Sequence, residues 1–241
     1  MESRSTPTFA PTQWSVVEAV QKGDEATARV ALGRLYETYS YPLYAYLRRR
    51  GSSPDEAQDL LHAFFLRMIE KDFLQAVDPQ RGRFRTFLLT ALKHFLLNEV
   101  ARGRAQKRGG GVRPYSVDAD LAETRYGHEP RHAVTPEFLY ERRWALDLLQ
   151  RVEERLAGEW LAADKQELFR YLRPTLTREP DAVPHAEIAR HLRTTLSTVQ
   201  NAARRLRQRF RALLRQELRE HVADPAALDE EERYLFEILA R

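Results

Sequence analysis

Ser197, Gln200, Asn201 and Arg204 recur at spacings of three and four, so one helical face would carry a hydroxyl, two amides and a guanidinium. Those are the donors and acceptors that read base edges in the major groove of DNA. The complementary stripe, Val199, Ala202, Ala203 and Leu206, is apolar, and Ile188, Ala189 and Leu192 form a similar stripe just upstream of a short Arg193-Thr194-Thr195 break. Two short amphipathic helices joined by a tight turn read as a helix-turn-helix, with Thr195 as the cap of the second helix. Any surface helix has a polar face, but a solvated one normally mixes both signs of charge. Here residues 190–219 hold nine Arg against one acid, Glu217, a local charge of +8.

A second block of the same charge lies at 81–113, where Arg81, Arg83, Arg85, Lys93, Arg102, Arg104, Lys107, Arg108 and Arg113 face Glu99 alone. The rest of the chain carries −12, so the modest net charge of +4 hides two cationic surfaces flanked by acidic ones. Binding to a polyanion, weakened by salt, is the direct physical implication. The 241 residues are 43% hydrophobic and include no Cys, which suits packed cores in a reducing compartment and excludes disulfides and thiolate metal sites. No run of about twenty apolar residues occurs, and the start leads into no apolar signal core, so a cytoplasmic chain without membrane spans is expected.

The elements that must position these residues are all helical. Residues 1–12, rich in Ser, Thr and Pro, read as disordered, with a first packed helix near Trp14. Helical periodicity covers 24–50, with Pro42 a candidate kink and Gly51 a stop. The next helix, 53–71, opens on Ser53, Pro54 and Glu56 as a capping box. Its inner stripe is Ala57, Leu60, Leu61, Phe64, Phe65, Met68 and Ile69, leaving Asp55, Glu56, Asp59, His62, Arg67 and Glu70 outside. After a loop at 78–82, a helix at 84–106 buries Phe87, Leu88, Ala91, Leu92, Phe95 and Leu96 and stops before Gly109-Gly110-Gly111. Residues 107–134 read as a linker holding one short ordered piece. Thr135-Pro136 starts the following helices, the helix-turn-helix comes next, and Asp224-Pro225 caps a final helix whose Leu228, Leu235, Phe236 and Leu239 are expected to pack on the second domain. The expected architecture is all-α, two small helical domains joined by a flexible linker: 1–12 disordered, 13–106 first domain, 107–134 linker, 135–222 second domain, 223–241 helical tail.

In this order the chain resembles bacterial sigma factors of the extracytoplasmic-function (ECF) class. Leu35-Tyr36-Glu37-Thr38-Tyr39, then 54–60 with Phe64-Phe65-Leu66-Arg67, resembles the polymerase-binding part of region 2; 83–89 through Arg102 resembles the part that engages the minus-10 element; 185–214 resembles region 4. The Lys-Arg-Gly-Gly-Gly junction, the stretch 135–146 and the Val-Ala-Asp-Pro segment are similar to ECF-like proteins common in planctomycetes and related bacteria.

The resemblance implies an initiation factor, with no catalysis and no cofactor of its own, that binds the clamp helices of core RNA polymerase and directs it to promoters. It assigns polymerase binding to Asp55, Glu56, Asp59, His62 and Arg67, although carboxylates in a first helical turn are also favoured by the helix dipole alone. It places the loop 76–83 against an unstacked non-template base, with Arg81, Arg83 and Arg85 neutralising phosphates and Lys93, His94, Asn98 and Arg102 facing the parting strands. Phe84 and Phe87, beside Leu88 and Leu92, read as core rather than as stacking platforms. Minus-35 contacts fall to Thr195, Ser197, Thr198, Gln200, Asn201, Arg204, Arg205 and Arg207. The chain departs from the family in carrying Arg193 where the turn usually has Gly, Lys93-His94 for an Arg-Asn pair, and Asn98 for a frequent Asp, so promoter sequence does not transfer. An anti-sigma protein, a kinase or the C-terminal tail is left open as the controlling element.

Other function classes fare less well. Gly109-Gly110-Gly111 lacks the Lys-Ser or Lys-Thr of a phosphate loop, and no Gly-x-Ser-x-Gly elbow occurs. His128 and His132 lack an obvious third metal ligand, and Asp118 and Asp120 read as solvated surface. An operator-binding regulator that never joins polymerase is the alternative, but it leaves the first domain's own +8 block without a role. An RNA-binding adaptor would lack the strand motifs of common RNA modules.

Overall fold

The computed structural model describes residues 25–69, 83–103, 119–129, 134–176, 183–222 and 224–241, and every regular element among them is helical. They are α1 (Glu25–Arg49), α2 (Pro54–Ile69), α3 (Phe84–Gly103), α4 (Ala119–Gly127), α5 (Pro136–Ala162), α6 (Gln166–Leu172), α7 (His185–His191), α8 (Leu196–His221) and α9 (Leu228–Ala240), with 3-10 turns at Arg173–Thr175 and Pro225–Ala227. The expected disordered start, the helix near Trp14, the loop at 78–82 and the glycine run at 109–111 lie outside the described residues. No helix among the described residues is long and apolar enough to cross a membrane.

The described residues divide into two compact units, one reaching to Leu146 and taking in Leu218–Arg241, the other Asp147–Glu217. Both divisions fall inside helices, α5 and α8, rather than in the stretch 107–134 where the sequence places a linker. The ordered piece expected there is α4.

The first unit is built on α1, α2 and α3. Tyr39, Leu43, Tyr44, Leu47, Leu61, Phe64, Phe84, Leu88 and Leu92 are all buried, and aromatic edges join the helices: Phe64 lies 5.7 Å from Phe95, and Tyr39 lies 5.7 Å from Phe84. Burial of each such side chain contributes about 1.5–3 kcal/mol. That offsets the cost of Pro42, an interior proline through which α1 continues unbroken. Phe84 is core, as expected; Phe87 is only half-buried.

Polar side chains tie α4 to α1. Tyr44 Oη donates to Glu123 Oε2 at 2.6 Å, and Arg48 grips both oxygens of the same carboxylate at 2.9 and 2.7 Å. The Arg48 hydrogen bond holds the Glu123 carboxyl below its usual range, whereas burial, reinforced by Glu123, pushes the Tyr44 phenol up. Tyr41 Oη donates to the buried Glu129 at 2.8 Å.

The C-terminal helix belongs to this first unit, which corrects the expectation that it packs on the second domain. Leu228, Leu235 and Ile238 are buried as a stripe, but the element is placed by charge: Glu230 and Glu231 meet Arg83 and Arg85 of the first domain. Phe236, expected inside, is exposed. His221, just ahead of it, is buried with Nδ1 3.0 Å from Tyr39 Oη and its ring edge-on to Trp144 at 5.4 Å.

The second unit buries Leu148, Val152, Leu156, Phe169, Leu172, Ile188, Val199, Ala202, Ala203 and Leu206. Both helix-turn-helix stripes read from the sequence point into this core, save Leu192, which is half-buried.

Candidate nucleic-acid interface

The turn between α7 and α8 closes by backbone bonds. Thr194 N donates to Ala189 O at 2.9 Å and Arg193 N to Arg190 O at 3.3 Å, a Schellman arrangement that requires a left-handed residue at position 193. Arg193 takes it, at φ 49°. The helix that follows is capped as expected, Thr198 N donating to Thr195 Oγ1 at 3.2 Å. Thr195 Oγ1 also lies 3.0 Å from Ser197 Oγ and 2.8 Å from Thr198 Oγ1, so its role here is to hold the helix start.

Thr195, Ser197, Thr198, Gln200, Asn201, Arg204, Arg205 and Arg207 are all exposed. Burial of Val199, Ala202, Ala203 and Leu206 turns that face outward, because residues three and four apart share one side of a helix. Arg209 is different: its guanidinium forks onto Glu159 at 2.7 and 2.6 Å, and this bond holds the Glu159 carboxyl below its usual range. Arg209 is therefore engaged by α5, while Arg204, Arg205 and Arg207 stay on the exposed face.

On α2, Asp55, Glu56 and Asp59 are exposed. Glu56 completes the capping box: its Oε2 accepts from Ser53 N at 2.9 Å, and Ser53 Oγ accepts from Glu56 N at 3.3 Å. The Ser53 backbone bond holds the Glu56 carboxyl below its ordinary range. His62, expected on the outer face, is buried, with Nε2 3.3 Å from Tyr36 Oη and its ring stacked on Tyr36. Tyr36 is an inward residue of α1, so His62 completes the α1–α2 packing and is withdrawn from any docking surface. Arg67 is half-buried, and Glu70 lies outside the described residues.

The face of α3 read as strand-capturing is largely spoken for. Arg85 is 1% exposed. Its Nε donates to Glu141 at 2.6 Å, its Nη1 meets Glu231, and its guanidinium lies 4.1 Å over the Trp144 ring and 4.7 Å from that of Tyr234. A phosphate cannot reach it in this conformation, which corrects its reading as an exposed contact. Arg83 Nη2 donates to Glu230 at 2.8 Å, its Nε lies 2.9 Å from Glu231, and its guanidinium sits 4.4 Å over the Tyr234 ring. Lys93 Nζ lies 2.9 Å from Glu137, whose carboxyl it holds below the usual range. His94 and Asn98 are exposed, Arg102 belongs to the last turn of α3, and Arg81 lies outside the described residues with the loop 76–82.

The carboxylates and ring that cover this face, Glu137, Glu141, Glu230, Glu231 and Tyr234, were not among the residues singled out from the sequence. One signal pointed to Glu230 and Glu231: the run Asp229-Glu230-Glu231-Glu232 opens α9 with a strong negative charge in a chain whose positive charge is concentrated elsewhere. Their pairing across more than a hundred residues was beyond local pattern.

No curated protein and no solved structure matched the chain. Residues 35–106, which take in most of α1 and all of α2 and α3, match the family model described as Sigma-70 region 2, so this part of the chain is similar to that family.

Proposed function

We propose that the chain is a sigma factor of the ECF class, which docks on core RNA polymerase and directs it to promoters. The observation that carries this reading is the match to Sigma-70 region 2 over the helices that build the first unit. The exposed Asp55 and Asp59 of α2 offer the docking face toward the clamp helices of the largest polymerase subunit. The helix α3 with the loop before it would take the opened minus-10 strand, and α8 would set Ser197, Gln200, Asn201 and Arg204 against the minus-35 major groove. No covalent step belongs to the chain itself, and a cytoplasmic location follows from its partners. Control by an anti-sigma protein or a kinase is compatible with this role. The operator-binding alternative accounts for α7 and α8 only and gives the region 2 match no part to play.

Reconstituted transcription tests the reading. Core polymerase from a bacterium, given fragmented genomic DNA with and without the purified chain, should start new transcripts at sites sharing a pair of spaced motifs only when the chain is present. Identical start sites in both reactions would contradict it.

A further inference from the structure

We propose that α9 is a releasable cover that mimics a nucleic-acid strand on the cationic face of α3, so that the tail and DNA compete for the same guanidinium groups. The proposal rests on the reading of α3 as a strand-binding helix.

The geometry is that of a strand in outline. Two successive carboxylates, Glu230 and Glu231, occupy the place of backbone phosphates against Arg83 and Arg85, and the Tyr234 ring lies under both guanidinium groups, at 4.4 and 4.7 Å, where a base would stack. Glu230 and Tyr234 are one helical turn apart, so a single face of α9 supplies both the charge and the ring. Guanidinium groups accept phosphate in the same bidentate manner as carboxylate, so exchange of one for the other leaves Arg85 partnered. Glu141 stays beside Arg85 from α5 throughout, which lowers the cost of the exchange.

A separate hinge makes α9 the element able to leave. It is a distinct helix of 13 residues, joined to α8 by the short segment 222–227 with its Asp224 cap on Ala226 N at 2.9 Å. The first turns of α5, which bring Glu137 and Glu141 to the same face, are continuous with a helix of 27 residues and have no such freedom. Docking of α9 would thus keep a strand off the α3 face of the free protein while leaving α8 open, and a high local concentration of promoter phosphates, as on a polymerase-bound complex, would displace it.

The test uses the full chain and a mixed-sequence single-stranded oligonucleotide, with amide hydrogen exchange read over 228–240. Saturating oligonucleotide should lower the protection of those amides about tenfold or more. Glu230→Gln, at an exposed carboxylate whose loss spares the buried pair, should tighten oligonucleotide binding roughly twofold to fivefold, whereas Glu237→Gln, exposed on the same helix, should not. Unchanged protection at saturation, or equal effects of the two substitutions, would overturn the cover. Binding of core polymerase is measured in parallel and decides the sigma reading separately: polymerase binding with α9 still protected rejects the cover alone, and release of α9 by oligonucleotide without polymerase binding upholds the cover and rejects the sigma reading.

Discussion

Arg85 and Glu231, 146 residues apart in sequence, meet as an ion pair in which each side chain is 1% exposed. Neither charge is solvated, so each depends on the other and on Glu141, Trp144 and Tyr234 around them.

Removing one member should therefore be costly. Glu231→Ala is expected to lower unfolding stability by about 3 kcal/mol, because a buried guanidinium is left short of a partner. Glu230→Ala, at a carboxylate 68% exposed, should cost less than about 1 kcal/mol. Urea titrations of the two variants beside the parent check this; equal effects would mean that the buried pair is not what anchors α9.

Arg193 offers a gain instead of a loss. A side chain at φ 49° is strained by contact of its Cβ with the backbone, and glycine is not. Arg193→Gly should raise stability by about 1 kcal/mol, less the backbone freedom that glycine restores to the unfolded chain. Thermal unfolding reads the sign directly, and a lowered midpoint would show that the arginine head group has an offsetting contact.

Arg204 and Arg209 separate recognition from scaffolding on one helix. Arg204→Ala should weaken promoter DNA binding by about 1–3 kcal/mol while leaving stability within about 0.5 kcal/mol. Arg209→Ala should do the opposite in kind: it loses the fork on Glu159, at a surface cost below about 1 kcal/mol, with a smaller effect on DNA. Fluorescence anisotropy with duplex DNA at two salt concentrations distinguishes them.

Acid should loosen the attachment of α4. The folded Glu123 carboxyl is held below its ordinary value of 4.5, chiefly by Arg48, so its contribution is complete above that value and is lost as pH falls through the lower folded one. Glu123 is 38% exposed, which limits the contribution to below about 1 kcal/mol. Glu123→Gln should flatten the acid limb of a stability–pH curve; an unchanged slope would locate the proton uptake elsewhere.

Local physics made much of this fold readable. Among the described residues, three helix ends with a left-handed residue illustrate where it succeeds and where it stops. Gly51, at φ 101°, ends α1 as a glycine stop should. Asp164 and Arg193 take the same left-handed role without a glycine; the family resemblance marked position 193 as one where the turn usually has Gly, whereas nothing in the sequence marked 164. Capping by Ser53, Thr135, Thr195 and Asp224 followed residue type and offset, because those bonds span two or three residues. His62 was misplaced because, on a helix with a wide apolar stripe, a polar residue at the stripe's edge can turn inward when a partner such as Tyr36 waits on a neighbouring helix. Arg85 failed for the same reason at longer range: its partners come from α5 and α9, and nothing within reach of its own helix specifies them.

The most direct test of the sigma reading is co-elution of the purified chain with bacterial core RNA polymerase, beside an Asp55→Asn, Asp59→Asn variant that leaves the Ser53–Glu56 cap in place. Expected is a stoichiometric complex with the parent and a marked loss of binding in the variant at unchanged helicity. No complex with the parent, under conditions where it still binds duplex DNA, would contradict the assignment and leave an operator-binding regulator in its place.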